Sequence, residues 1–185
     1  MLGNQVYGQS AEKVELIQAD SVHYDEDKGK FIQRLMGNVK LKQGTAIMSC
    51  EEAHLNSEEN TFEAFRNVHI FQADTINIHG EHLLYYGDPK IANIDGNVVM
   101  IDDGMRLTTR AITYNTASRV GYYASGGVLT SGQDRLTSRI GTYNGYSKRV
   151  GFRDNVVLVS PEYTMESDTL IYSTTRKVAW FYGPK

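Results

Sequence analysis

Five histidines and the adjacent carboxylates Asp102-Asp103 and Glu51-Glu52 are the groups in this chain singled out for chemistry. His79-Gly-Glu-His82 brings two imidazoles within four positions, with His54 and His69 a little upstream. Imidazole nitrogens are common ligands for zinc and its neighbours. Asp102-Asp103 and Glu51-Glu52 are carboxylate pairs of the kind used in glycoside hydrolysis, one as acid and one as base or nucleophile. What either group can do depends on the element that carries it. On a helix, residues i and i+4 share a face; on a strand, residues i and i+3 point to opposite faces. A strand would separate His79 from His82, and His54 and His69 have no Cys or carboxylate at ligand spacing. Solvated histidine is the expectation, and no metal or cofactor is assigned. The carboxylate pairs sit at or near turns, where Asp and Glu are common for solubility and local hydrogen bonds, and their spacing does not set them across a cleft. No Gly-x-Ser-x-Gly elbow, phosphate loop or dinucleotide fingerprint occurs in the sequence. The chain is expected not to be an enzyme.

The elements that position these residues follow from a repeat. Tyr24, Leu55, Tyr85, Tyr114, Tyr143 and Tyr172 form one column, their numbers stepping by 31, 30, 29, 29 and 29. Asn38-Val39, Asn67-Val68, Asn97-Val98, Gly127-Val128 and Asn155-Val156 form a second, with steps of 29, 30, 30 and 28. A fixed period in this range means stacked supersecondary units, none of which can bury its apolar face alone.

Within each unit the period is two. Val39/Leu41, Val68/Ile70, Val98/Met100 and Val156/Leu158 place apolar side chains at i and i+2, with Lys40 and His69 between. Alternate strand residues point to opposite faces, so one face is dry and the other wet. Expected strands run over residues 14–24, 31–41, 46–55, 61–71, 75–86, 90–101, 105–114, 119–130, 135–143, 148–159, 163–172 and 177–182. Turns rich in Gly, Asn, Asp and Ser separate them. The first of these is Asp25–Lys30, with Gly29 free to take positive φ, and a bulge or bend is expected at Gly37-Asn38. Residues 1–13 carry no pattern and read as a loose lead-in to a single domain over 14–185. The fold class is all-β: antiparallel hairpins stacked in some six repeats, each about 29–31 residues long. Their common interior is either a packed core between two sheets or an elongated apolar groove.

Composition narrows the function classes. Apolar residues at 41% and charged residues at 22% fit an ordered, soluble protein. A net charge of −3 without a Lys/Arg cluster argues against nucleic acid as a partner. One cysteine, Cys50, cannot form an intramolecular disulfide. No run of about 18 apolar residues is present for a membrane-spanning helix. The start, Met1-Leu-Gly-Asn-Gln, has neither the basic nor the apolar region of an export signal.

Ile17-Gln-Ala-Asp-Ser-Val-His-Tyr24, then Gly37-Asn-Val-Lys-Leu-Lys-Gln-Gly44, then Ala46-Ile-Met-Ser-Cys-Glu-Glu-Ala-His-Leu55 resemble the OstA-like family of lipopolysaccharide export. That family takes in the periplasmic bridge LptA, the membrane-anchored LptC and the N-terminal domain of LptD. The resemblance covers essentially the whole chain as degenerate repeats. It implies an elongated β-jellyroll (a folded, taco-like sheet), a periplasmic location and a lipid-binding role without catalysis. It also implies lipopolysaccharide, through its lipid A part, and other Lpt-type proteins as partners. On this resemblance Val39, Leu41, Val68, Ile70, Val98, Met100, Val128, Val156 and Leu158, with Phe62, Ile91, Tyr122, Phe152 and Trp180 opposite, are expected to line the lipid groove. The tyrosine column is expected either as an aromatic ladder with its phenol tips in water or as a rim meeting a polar head group.

Two rival readings share the repeat: a parallel β-helix that binds or cleaves polysaccharide, and a ligand-free β-solenoid. A parallel helix expects three strands per coil, whereas turns here separate two longer stretches, as in hairpins. The sixth repeat stops at Pro184-Lys185 before its Asn-Val element. A raw edge at each end predicts head-to-tail self-association, and the incomplete repeat predicts a trimmed or partial chain, its signal peptide missing.

Overall fold

The computed structural model describes residues 12–27 and 30–183. The lead-in over 1–11, the tip of the first turn at Lys28-Gly29 and the terminal Pro184-Lys185 lie outside the described residues. Among the described residues fifteen strands form one antiparallel sheet. They are β1 (Glu15–Gln18), β2 (Ser21–Asp27), β3 (Lys30–Gln43), β4 (Ala46–Asn56), β5 (Thr61–Gln72), β6 (Ile76–Tyr86), β7 (Ile91–Asp102), β8 (Met105–Asn115), β9 (Val120–Tyr123), β10 (Gly127–Ser131), β11 (Asp134–Ser138), β12 (Ile140–Asn144), β13 (Arg149–Val159), β14 (Thr164–Ser173) and β15 (Val178–Tyr182). The expected all-β, antiparallel meander is the fold observed; β1/β2, β9/β10 and β11/β12 follow one another in the chain without pairing in the sheet.

Each long strand is creased once. In β3, β5, β7 and β13 two consecutive residues enter the left-handed region: Gly37-Asn38, Arg66-Asn67, Gly96-Asn97 and Asp154-Asn155. They oppose a single residue on the next strand, so the register jumps from Phe65↔His82 to Val68↔Gly80, for example. Two left-handed residues in a row are an unusual demand that Gly and Asn meet most cheaply. This is why the Asn column exists: the expected bulge recurs in these four strands and folds the sheet, and in the fourth repeat a strand break with left-handed Gly126 takes its place.

The crease divides the sheet into two arms. Arm A contains residues 32–36, 52–56, 61–65, 82–86, 91–95 and their equivalents; arm B contains 39–43, 46–50, 68–72, 76–80, 98–102 and theirs. Register shows how sharply the arms fold together. Gln43 aligns with Ala46, Ala46 with Gln72, and Gln72 with Ile76. Tyr85 lies nine positions along β6 from Ile76, so on a straight strand it would be about 30 Å away along the strand direction. Its hydroxyl nevertheless donates to Gln43 Oε1 at 2.5 Å. Arms A and B therefore face each other, and their inward side chains form one continuous core from Val14 and Leu35 to Leu170 and Tyr172.

Three expected strands are broken. Residues 14–24 divide into β1 and β2 and, in the fourth repeat, 119–130 into β9 and β10 and 135–143 into β11 and β12. Here the Tyr123 ring fills the crease, with its hydroxyl 2.8 Å from Ser138 Oγ. Glu12 departs from the loose lead-in expected over 1–13, and Val14, at the expected start of the domain, is tied in beside it. Val14 N donates to Asn60 Oδ1 at 2.8 Å, and Lys90 Nζ reaches Glu12 Oε2 at 2.7 Å.

Candidate functional site

The interior between the arms is the candidate site. Ten of the expected lining residues face it and are at most 2% exposed: Val39, Leu41, Phe62, Val68, Ile70, Val98, Met100, Phe152, Val156 and Leu158. Four do not. Ile91, Val128 and Trp180 are half-buried on the outer faces, and Tyr122 is 45% exposed there. The correction has a simple cause. Direction is set by parity counted from the left-handed residue that closes each turn. After Lys90 (φ 57) the second and fourth residues, Ala92 and Ile94, point inward, which sends Ile91 out. After Arg119 (φ 53) they are Gly121 and Tyr123, and after Lys177 (φ 55) Ala179 and Phe181, so Tyr122 and Trp180 turn outward. At the fourth crease Gly126 (φ 82) takes the last left-handed position. Gly127, not Val128, is then the residue opposite Thr109, where Val98 sits in the preceding repeat. A Cβ at Gly127 would lie 2.5 Å from the Tyr123 ring, so the Val of the other repeats cannot be used there.

The tyrosine column fits neither form in which it was expected. Tyr85, Tyr114, Tyr143 and Tyr172 are at most 1% exposed, and their hydroxyls cross from arm A to the tips of arm B. Tyr85 meets Gln43 and Thr116, Tyr114 meets Gln72 at 2.8 Å, Tyr143 meets Asp102, and Tyr172 meets Asp134 at 2.9 Å. Burial pushes all four phenols up, Tyr172 to about 12, so each is a fixed neutral donor. Together they make a hydrogen-bonded seam that closes the mouth between the arms. Leu55 occupies the column without a hydroxyl, and Tyr24 is 74% exposed at the N-terminal end.

The acceptors were missed, although Gln43, Gln72 and Asp102 recur at steps of 29 and 30 in sequence number; Asp134, which takes the Tyr172 hydroxyl, falls outside that spacing. Asp102 was expected as a solvated turn residue. It is 1% exposed and accepts from Tyr143, from Thr75 Oγ1 at 2.6 Å and from Lys148 Nζ at 2.7 Å. Burial alone would raise its pKa, but the bonds from Lys148, Thr75 and Tyr143 outweigh that and hold the carboxyl below its usual range.

Both ends of the interior are less covered than its middle. Leu16, Val22 and Tyr24 align with the inward-facing row at one end yet are 36%, 36% and 74% exposed. Met165, opposite Leu158, is 39% exposed at the other.

Four of the five histidines prove to be partnered, and His23 is exposed. The crease at Glu81 resets the alternation, so His79 and His82 both face outward, contrary to strand parity, but on different arms. His69 and His79 stack with centroids 4.2 Å apart. Desolvation, helped by His69 and Arg106, lowers the His79 pKa. His82 bridges Glu63 at 2.8 Å and Asp95 at 3.1 Å on opposite sides of its ring, and His54 bonds Glu52. Glu51 and Glu52 hold Arg66 at the crease. Among the described residues no group of three or more His, Cys, Asp or Glu is arranged around a metal position.

A meander of repeated hairpins, folded lengthwise over an apolar interior, defines the β-jellyroll class of repeat proteins. Within that class the family is clear: a family model described as OstA-like protein matches residues 11–168, and the chain belongs to that family. Among solved structures it is similar to LptH from Pseudomonas aeruginosa, described as the LptA homologous periplasmic component of the lipopolysaccharide transport device. That match has a TM-score of 0.52 at 16% identity, covering 57% of this chain and 80% of LptH. At that identity the likeness is one of fold. No curated protein matches the sequence.

Proposed function

We propose that this chain is a periplasmic, non-enzymatic carrier or bridge for lipopolysaccharide on its way to the outer membrane, holding the acyl chains of the lipid A part between arms A and B. The observation that carries this reading is the single apolar interior, which runs the length of the stack and has uncovered inward residues at both ends. An acyl chain exposed to water is unfavourable by about 0.8 kcal/mol for each CH₂. A carrier has to replace that water with a dry surface as long as the chain. Each repeat adds the same few inward side chains, so stacking repeats extends the surface by equal steps. LptH, which shares the fold, is described as a transport component, and the analogy supports a place beside other Lpt-type proteins.

The hydrogen-bonded seam favours a second reading, a structural solenoid that takes no ligand. A photo-crosslinking residue introduced in turn at Val68, Met100 and Leu158, and at the outward Lys40, His69 and Arg153, separates the two. Crosslinks to lipopolysaccharide from the inward positions alone are expected for a carrier. Equal labelling of both faces, or none in a folded protein, identifies the solenoid.

A further inference from the structure

The turns at the tips of arm A carry a regularity that the fold does not require. Each ends on one left-handed residue: Asn60, Lys90, Arg119, Lys148 and Lys177, at φ 54, 57, 53, 51 and 55. Four of the five are cationic. Left-handed backbone suits Gly and Asn, and a long side chain there is unfavourable because its Cβ crowds the neighbouring carbonyl oxygen. The facing tips of arm B place Gly44, Ala73, Asp74, Asp103, Gly104 and Gly132 in left-handed positions, none of them cationic. The cations are therefore confined to one lip of the seam.

Their spacing is fixed by the backbone. Gly87 N donates to Asn60 O at 2.8 Å, Thr116 N to Lys90 O at 2.9 Å, Gly145 N to Arg119 O at 2.8 Å and Thr174 N to Lys148 O at 3.0 Å. Successive tips are two strands apart, so the cations recur about every 10 Å along the mouth of the apolar interior. Their present partners sit on or near the seam. Lys90 holds Glu12, Lys148 holds Asp102 and Asp103, Arg119 lies 4.7 Å over the Tyr146 ring, and Lys177 donates to Ser131 Oγ. Arg119 and Lys177 have no carboxylate partner among the described residues.

We propose that Lys90, Arg119, Lys148 and Lys177 form a rail for the phosphate groups of an amphiphile whose acyl chains lie between the arms. This rests on the lipid-carrier reading above and adds the head-group class to it. When the lips part to admit the chains, Tyr143 and Lys148 leave Asp102, and a phosphate takes the carboxylate's place beside the ammonium. At the other positions the anion replaces Glu12, a hydroxyl or an aromatic face. A guanidinium or ammonium to phosphate contact is among the stronger hydrogen bonds available to a protein.

The test compares a bisphosphorylated lipid A with the same lipid stripped of phosphate, binding to wild-type protein and to the double variant Arg119→Gln, Lys177→Gln. That variant spares Lys148, whose loss would strand the buried Asp102. Wild-type protein is expected to prefer the phosphorylated lipid by about tenfold, and the variant to bring the ratio below about threefold with an unchanged circular dichroism spectrum. A control pair on the outer face of arm B, Lys40→Gln with Lys42→Gln, removes the same charge and should leave the ratio as in wild type. Equal affinity of wild-type protein for both lipids overturns the rail while the carrier reading stands, as does an equal fall in the control. Failure to bind either lipid overturns both. If inorganic phosphate alone raises the melting temperature as much as the phosphorylated lipid does, the rail is a site for the free anion and the proposal falls.

Discussion

At the scale of single residues, the seam is where side-chain chemistry is most exacting. Tyr114→Phe removes one oxygen and leaves Gln72 Oε1 without the hydroxyl that now reaches it at 2.8 Å. An orphaned buried acceptor is unfavourable by about 1–3 kcal/mol, and urea unfolding should show a loss in that range. Tyr24→Phe, at a site 74% exposed, should leave stability unchanged. Asp102 brings pH into the seam. Its folded pKa lies below the unfolded value of about 3.9, so its contribution is fully present above that pH and disappears as pH falls through the folded value. Thermal melting followed from pH 6 to pH 2 should therefore drop more steeply for wild type than for Asp102→Asn at the acid end. Parallel curves would mean that the carboxylate is not held as the geometry indicates.

At the scale of elements, the repeat was legible because hydrophobic alternation, turn composition and the Asn-Val spacing all carry one period. Facing was less legible. A single left-handed residue shifts every following side chain to the other face, and an alignment of apolar types does not register that shift. Ile91, Tyr122, Val128 and Trp180 were misplaced for this reason, each one position from an inward neighbour. The seam was hidden for a different reason: its partners lie in different strands more than one repeat apart, so neither alternation nor local spacing joins them. The broken fourth repeat gives the sharpest test at this scale. Tyr123 packs against Gly127 and Gly141, where a Cβ would come within 2.5 and 2.2 Å of its ring atoms. Gly127→Ala is expected to destabilise by about 1–3 kcal/mol from overpacking, measured by denaturant midpoint. Gly104→Ala, where nothing lies within 4 Å but φ is +76, should show only the smaller backbone effect of about 1 kcal/mol.

At the scale of the whole molecule, the described strands leave backbone groups unpaired at both ends of the sheet. Among the described residues β15 pairs only with β14, and β1 and β2 only with β3. Val178 and Tyr182 at one end, and Ile17 and Phe31 at the other, are 43–61% exposed. Sedimentation velocity should show the mean mass rising with concentration, and a strict monomer up to millimolar protein would count against end-to-end pairing. The seam has a further mechanical meaning. Each latch spans more than one repeat: Tyr85 to Gln43, Tyr114 to Gln72, Tyr143 to Asp102. Successive latches overlap, as bricks do in a wall laid with staggered joints. A linear array whose units touch only their neighbours can fray from its ends, unit by unit. Here no interior unit can peel away without releasing a tie that also holds the unit beside it. Calorimetry should accordingly find one transition with equal van't Hoff and calorimetric enthalpies. Replacing Tyr85, Tyr114 and Tyr143 together by Phe should broaden that transition as well as lower it, turning a body that melts whole into one that unravels.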